Sequence, residues 1–257
     1  MRVSDKLIRA KEDYDAVYEA GVNKGKTMGG YEQGFDAGKQ AEYDAFWDNY
    51  QHQMGGPQSY QYLFAGSPWD DVTFKPKYNI VFSTGYSGTN AFWQCGVTDI
   101  AEALEKRGLI LDTTLCGYAS GMFQTTVTKR LPELNFTHAM DNSTAGLQNT
   151  FNGSSVETID KMIVLESLKY TNTFLNCKNL KNIVFEGVIG NAIDFKSCTL
   201  LSHDSIISII NALSTTASGQ TATFSKEAVN NAFEGGSTGS EWLNLIAAKS
   251  NWTISLV

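Results

Sequence analysis

The chain has little of what metal centres, disulfide scaffolds and nucleic-acid surfaces require. It contains 4 cysteines, 3 histidines and 4 prolines in 257 residues, with 20 Lys and Arg against 27 Asp and Glu. A net charge of -7 argues against a phosphate-binding surface, which needs clustered basic side chains to displace counterions. Cysteines so few and so widely spread do not make a disulfide framework. We therefore expect no nucleic-acid partner and no cofactor.

Long apolar runs are also missing. No stretch approaches the roughly 18 apolar residues of a membrane span, and the first residues, MRVSDKLIRAKEDYD, lack the apolar core of a secretory signal. The sequence therefore predicts no membrane span and synthesis in the cytoplasm. A role outside the producing cell would need lysis or a non-standard export route.

Recognisable catalytic motifs are absent as well. There is no G-x-S-x-G elbow, no phosphate-binding G-x-x-x-x-G-K-[ST] loop and no H-E-x-x-H pair. His52 and His138 stand alone, and His203 precedes Asp204 at a predicted helix start, where an acidic residue is favoured by the helix dipole. Asp70 and Asp71 follow Trp69 and are interpreted as a solvated turn rather than a cation site. The chain is predicted not to be an enzyme, with no catalytic or metal-binding residues.

Residues 1–54 carry a weak helical pattern. Heptads counted from Leu7 place mostly uncharged residues at the a and d positions, which predicts a coiled-coil-like seam. Glycines at a spacing of four, as at Gly21, Gly25 and Gly29, each cost about 1 kcal/mol in a helix. The segment therefore needs a partner surface, and two interpretations stay open: a partly disordered leader, or a helix that forms a homo-oligomer or docks onto a larger assembly.

Residues 55–90 are predicted to be a linker and an irregular N-terminal cap, because glycine and proline punctuate an aromatic-rich run. Aromatic side chains here and at the end of the helical segment could stack on a ligand or could plug the open end of a core. The partner-binding candidates are Phe46, Trp47, Tyr50, Tyr60, Tyr62 and Trp69.

Residues 91–201 contain a repeat, which is illustrated by FLNCKNLKNIVF, Phe174 to Phe185. The pattern F-x-x-C followed by spaced apolar residues recurs, with marker phenylalanines 31, 28, 23 and 21 residues apart. These markers are Phe92, Phe123, Phe151, Phe174 and Phe195. A self-similar period of 20 to 30 residues is typical of a solenoid, in which equivalent side chains of successive coils stack in the interior. Cys95, Cys177 and Cys198 share one repeat position, so they are predicted to be buried structural thiols.

Residues 202–257 do not repeat and are predicted to be a C-terminal cap of helices and strands. Ser202 is a candidate N-cap for a helix with an apolar stripe over Ile206, Ile207, Ile210 and Leu213. A strand (TATF), two further helices and a last strand (WTISLV) follow. The predicted fold class is therefore an α/β (α+β) repeat protein: an N-terminal helix, a short leucine-rich-repeat solenoid and a C-terminal helix and strand cap.

The F-x-x-C-x-x-L-x-x-I repeats resemble the BspA-type leucine-rich repeats, and the leader YEQGFDAGKQAEYDAFWDNYQ with the tail LSHDSIISIINALSTTASG is similar to proteins encoded by phages and prophages of gut Firmicutes. The resemblance implies a repeat fold and a viral setting, with no catalytic residues to transfer. The chain departs from the pattern in its long first intervals and in an acidic helical run, DIAEALEKRG, inside the first of them.

These observations predict a non-enzymatic binding module that recognises a protein or a glycan. The expected setting is the tail or baseplate of a phage virion, reached after synthesis in the host cytoplasm. An intracellular inhibitor that binds a host enzyme or defence protein is the alternative, and a bacterial surface adhesin is less favoured because no signal or wall anchor is seen.

Overall fold

The computed structural model describes residues 63–66, 69–82, 88–140 and 146–257. Within these, Val72–Tyr78 belong to a different compact unit from the remainder. All helices and strands named below lie in the larger unit, within Asn79–Val257. The predicted helical segment 1–54 lies outside the described residues.

The described part of the chain contains short strands in its first half and most of its helices near the end. Its strands are β1 (Ile80–Val81), β2 (Leu111–Asp112), β3 (Arg130–Leu131), β4 (Leu134–Asn135), β5 (Thr158–Val164), β6 (Asn182–Gly187), β7 (Ile193–Phe195), β8 (Gln220–Phe224) and β9 (Trp252–Leu256). Its α-helices are α1 (Ile100–Glu105), α2 (His203–Ala212), α3 (Lys226–Ala232) and α4 (Ser240–Ala247). None of these helices is both long enough and apolar enough to cross a bilayer.

Every strand pair is parallel, and the strands form three separate sheets. The first joins β1 to β2, the second joins β3, β4 and β6 to β5, and the third runs β7-β8-β9. Strands β3 and β4 pair with successive parts of β5, while β6 pairs along the length of β5. Pro132 stands between β3 and β4 and has no N–H to donate, so one edge of β5 faces two short strands instead of a longer one.

The prediction of a leucine-rich-repeat solenoid is wrong for this chain. The described residues form a mixed α/β arrangement of three small parallel sheets and four helices, rather than one continuous sheet with a strand from every repeat. The broader prediction of an α/β fold is compatible with this arrangement.

Side-chain hydroxyls account for two of the places where the sheets stop. Along the outer edge of β6, the N–H of Ile183 donates to Ser205 Oγ at 2.9 Å and the N–H of Phe185 to Ser208 Oγ at 2.8 Å, both in α2. Between β2 and β4, the N–H of Asn135 donates to Thr113 Oγ1 at 2.7 Å. A hydroxyl in place of a strand carbonyl satisfies the buried amide without extending the ladder.

The core contains a line of stacked phenylalanine rings. Successive ring centroids are 4.5 to 5.9 Å apart with interplanar angles of 25° or less. In order, the rings belong to Phe64, Phe92, Phe123, Phe151, Phe174, Phe195 and Phe224. All seven are buried, so the predicted stacking of the marker phenylalanines is confirmed.

Left-handed backbone positions flank several of these rings. Residues two before the ring have positive φ at Asn90, Gly121, Asn149 and Asn172, and residues two after it have positive φ at Gln94, Thr125, Gly153 and Asn176. Asparagine and glycine tolerate this region better than most residues. Gly121 is also constrained by space, because a Cβ there would collide with the side-chain oxygen of Asn90. The repeat thus encodes a tight turn around these four buried rings.

The C-terminal elements match their sequence signals. Ser202 caps α2 by accepting from the Ser205 N–H, and Ser225 caps α3 by accepting from the Ala228 N–H. The predicted helices and the strands TATF and WTISLV are all present. Behind α2, the buried Lys249 donates to the carbonyls of Asn211 and Leu213, which closes the helix C-terminus.

Candidate binding groove

Only one of the six aromatic candidates for partner binding lies among the described residues. Trp69 is 7% exposed, and its ring packs edge to face on Phe64 at a centroid distance of 5.4 Å. A buried ring of this kind is what we expect if the aromatic side chains plug the open end of a core. The other five candidates, Phe46, Trp47, Tyr50, Tyr60 and Tyr62, lie outside the described residues.

The structure offers a different site, a groove of about 500 Å³ between α1, β2 and β4. Its buried lining consists of Ala101 and Leu104 of α1, Leu111 of β2 and the polar Thr113, and is therefore mostly aliphatic. Ile110 stands at the side of the groove and is 56% exposed. We call this cavity, with its carboxylate rim described below, the α1 groove.

Local sequence determines how α1 stands beside the sheets. Asp99 caps the helix by accepting from the Glu102 N–H at 2.7 Å, and the N–H of Ile100 donates to Thr128 Oγ1 at 3.1 Å. The helix ends in a turn at Gly108, whose φ of +64° favours glycine. After the turn the chain returns into β2, so the helix and the strand form two walls of one groove.

Among the described residues, three carboxylates line the α1 groove, and no Lys, Arg or His does. Glu105 accepts from Arg130 Nη2 at 2.8 Å, and Glu133 accepts from Lys161 Nζ at 3.0 Å. The third, Asp112, accepts from the Thr114 N–H at 2.9 Å through Oδ1 and has no ion pair within the described part of the chain. Asp112 is therefore the rim carboxylate whose charge is left for a ligand.

The two basic residues behind the rim are held by further acidic groups. Arg130 also donates to Asp160 at 2.7 Å, and its hydrogen bonds to Asp160 first and Glu105 second raise its pKa. Lys161 also contacts Glu186 at 3.1 Å, and its pKa is raised by hydrogen bonds to Glu133 first and Glu186 second. Both cations stay charged at neutral pH, and each shares its charge between two carboxylates. The rim consequently keeps an excess of negative charge.

The described residues contain no cluster of three metal-type ligands. The four cysteines are all buried, and burial raises the pKa of Cys95 to about 11 and that of Cys177 to about 12. Cys177 Sγ donates to the Phe151 carbonyl at 2.9 Å, so the thiol that the repeat pattern highlights is a packed core group.

The polar pairs singled out in the sequence have local structural roles. His203 lies between Asp204 at 3.1 Å and Glu241 at 2.8 Å, and hydrogen bonds to these carboxylates raise its pKa. Asp71 accepts from both the N–H and the hydroxyl of Thr98, at 2.7 and 2.6 Å. Neither pair faces the α1 groove.

Comparison of the chain with protein-family models, curated proteins and solved structures finds no match. The functional argument therefore rests on the residues of the groove itself. Sequence reasoning did not select them, although it noted the run DIAEALEKRG that became α1. The signal that could have found the site is this acidic helix inserted in the longest repeat interval.

Proposed function

We propose that the chain is a non-enzymatic binding module that takes a lysine or arginine side chain of a protein partner into the α1 groove. One observation carries the proposal: the described residues that line the groove include three carboxylates and no basic side chain, beside a buried aliphatic surface. The methylene stem of a lysine or arginine suits such a floor, while its charged end pairs with a carboxylate at the rim.

A protein partner is favoured over a glycan by the lining. Sugar rings are commonly held on aromatic faces, and no aromatic side chain of the described residues lines the α1 groove. Aliphatic walls with a few oriented polar groups are instead typical of sites for a side chain or a small apolar ligand. At the entrance, the exposed Ile110 supplies an apolar contact and the nearby Asp112 supplies a charged one.

The test is a titration of the full chain with acetyl-Leu-Lys-Leu-amide and with acetyl-Leu-Glu-Leu-amide, followed by backbone amide NMR shifts. We expect the lysine peptide to shift the amides of Leu109, Asp112 and Thr114 and the glutamate peptide to leave them unchanged. Asp112→Asn keeps the acceptor for the Thr114 N–H but removes the charge. It should weaken lysine-peptide binding about ten- to a hundredfold, the usual value of a hydrogen bond to a charged group.

Glu227→Gln is the matched control, because Glu227 is an exposed carboxylate on α3, outside the α1 groove. It removes the same charge from the chain and should leave the affinity unchanged. Binding should also weaken with added salt, since the rim is partly exposed. Equal affinity of the two peptides, or equal effects of the two variants, would show that the groove does not recognise a basic side chain.

The biological setting is a separate part of the proposal and rests on the resemblance of the leader, repeats and tail to phage-encoded proteins. We place the module at the tail or baseplate of a phage particle, with an intracellular inhibitor of a host protein as the alternative. Detection of the chain in particles purified after lysis supports the first. Recovery only from the cell extract, bound to a host protein, supports the second.

A further inference from the structure

Strand β9 leaves one side of the third sheet open. It pairs with β8 along its whole length, and no other strand of the described chain pairs with it. The N–H of Val257 donates to the Phe224 carbonyl, and the carbonyl of Val257 accepts from the Lys226 N–H. Residue 257 therefore directs both backbone groups toward β8.

The strand alternation then fixes which groups face outward. Successive residues of a strand direct their N–H and C=O groups to opposite sides. Since Val257 faces β8, Ser255 and Thr253 do so too, whereas Ile254 and Leu256 present their backbone groups at the open edge. Those N–H and C=O groups can form a ladder of hydrogen bonds with another strand.

The sequence and register of β9 lack three features with which proteins block such pairing: charged side chains, proline and a bulge. The sequence from Ser250 to Val257, SNWTISLV, contains no charged residue and no proline. The strand has no register shift against β8, so it carries no bulge. Val257, just past its end, is 63% exposed. A β-branched, uncharged and regular edge is a ready template for strand addition.

Charge decides which strand fits. Copies of a chain with a net charge of -7 repel each other in general, so a neutral surface is where two of them meet at the lowest electrostatic cost. The segment from Ser250 to Val257 meets that condition over its full length. It offers no charge with which a basic or acidic foreign segment could pair.

We propose that the β9 edge is a self-association surface, on which β9 of a second copy pairs antiparallel about a two-fold axis through Ile254. In this register Ile254 exchanges both outward hydrogen bonds with its own counterpart. The outward N–H of Leu256 meets the carbonyl of Trp252 in the second copy. Thr253 lies opposite Ser255 of that copy, so each contact of the isologous pair is between neutral residues.

The test uses the full chain and two charge variants, with mass measured by analytical ultracentrifugation over a range of concentrations. Thr253→Lys with Ser255→Lys places lysines directly opposite each other across the proposed axis. The control, Thr221→Lys with Thr223→Lys, adds the same charge to the neighbouring strand β8, at two half-buried positions; in β9, Ser255 is half-buried and Thr253 exposed. We expect a dimer for the wild type and the control, and dissociation at least about tenfold easier for the β9 variant, because opposed like charges destabilise a strand pair.

Ile254→Pro is a second, independent variant in case the lysines impair folding. Its proline removes an N–H that faces the open edge and no hydrogen bond to β8, and proline is tolerated on edge strands in this orientation. Circular dichroism and thermal melting check that each variant folds. A wild-type monomer at all concentrations overturns the proposal. So does a dimer that persists in folded β9 variants, which would place the contact elsewhere in the chain.

Discussion

Phe174 gives the sharpest test of how the core is held together. Its ring is buried and stacks on Phe151 at 5.4 Å and on Phe195 at 4.5 Å, and it meets the edge of Phe185 at 6.4 Å. Replacement by leucine keeps an apolar side chain in the same place but removes all three ring contacts. Aromatic pairs contribute about 0.5 to 1.5 kcal/mol each beyond the area they bury.

The decrease in the free energy of unfolding expected for Phe174→Leu is judged by comparison with a matched substitution, Phe136→Leu. Phe136 is equally buried and makes no ring contact within the described part of the chain. Phe136→Leu should therefore lower the free energy of unfolding only through lost volume, by about 1 kcal/mol, which is typical of a core substitution. Phe174→Leu should lower it by a further 1.5 to 4.5 kcal/mol, roughly three pairs at the values above.

Urea unfolding of the two variants, followed by circular dichroism and by tryptophan fluorescence, measures the difference. Coincidence of the two signals shows that a single transition is being compared. If Phe174→Leu and Phe136→Leu lower the free energy equally, the stacked line contributes only its buried area. The argument from ring geometry is then refuted.

Two further predictions concern titratable groups. Because the two carboxylates raise the pKa of His203 in the folded state, its stabilisation is complete below the ordinary pKa of 6.5 and is lost as the pH rises through the higher folded value. His203→Gln should therefore lower the melting temperature at about pH 5.5 and have little effect at about pH 8.5; the same loss at both values would contradict this assignment. Because burial raises the pKa of Cys95 and Cys177, and all 4 cysteines are buried, a thiol reagent near pH 8 should label them only after denaturant is added. Rapid labelling of the native protein would show that the core opens.

The repeat was readable in the sequence because its signals are local. A phenylalanine marks each repeat, and in four of the five repeats an asparagine or glycine two residues earlier specifies a tight turn around the buried ring. The caps at Ser202 and Ser225 were equally local, since a serine hydroxyl needs only the amide three residues on. Patterns of this kind can be recognised without knowledge of how the rest of the chain folds.

The break-up of the sheets was not readable in the same way. It depends on which hydroxyl meets which amide across 22 or 23 residues, as Thr113 meets Asn135 and Ser208 meets Phe185. The sequence around a threonine or serine in a strand-like or helical run does not indicate whether its hydroxyl makes such a contact. Pro132 was a visible signal, and it explains the division between β3 and β4.

The α1 groove was missed for a related reason. The helix itself is signalled by Asp99 and the residues after it, but a groove needs two walls, and the second wall comes from β2 and β4. Whether Asp112 remains free of a cation depends on where Arg130 and Lys161 find their partners. Those partners are Asp160 and Glu186, on strands later in the chain.

The hydroxyl contacts that interrupt and bridge the repeats have a kinetic consequence. The Thr113, Thr126, Thr150 and Thr173 hydroxyls reach carbonyls only 22 to 31 residues away. Contacts at such separations close short loops, and the entropy lost in closing a loop grows only slowly with its length. The segments that these contacts join can thus meet early in folding, which favours a faster rate than is usual for a fold made of parallel strands.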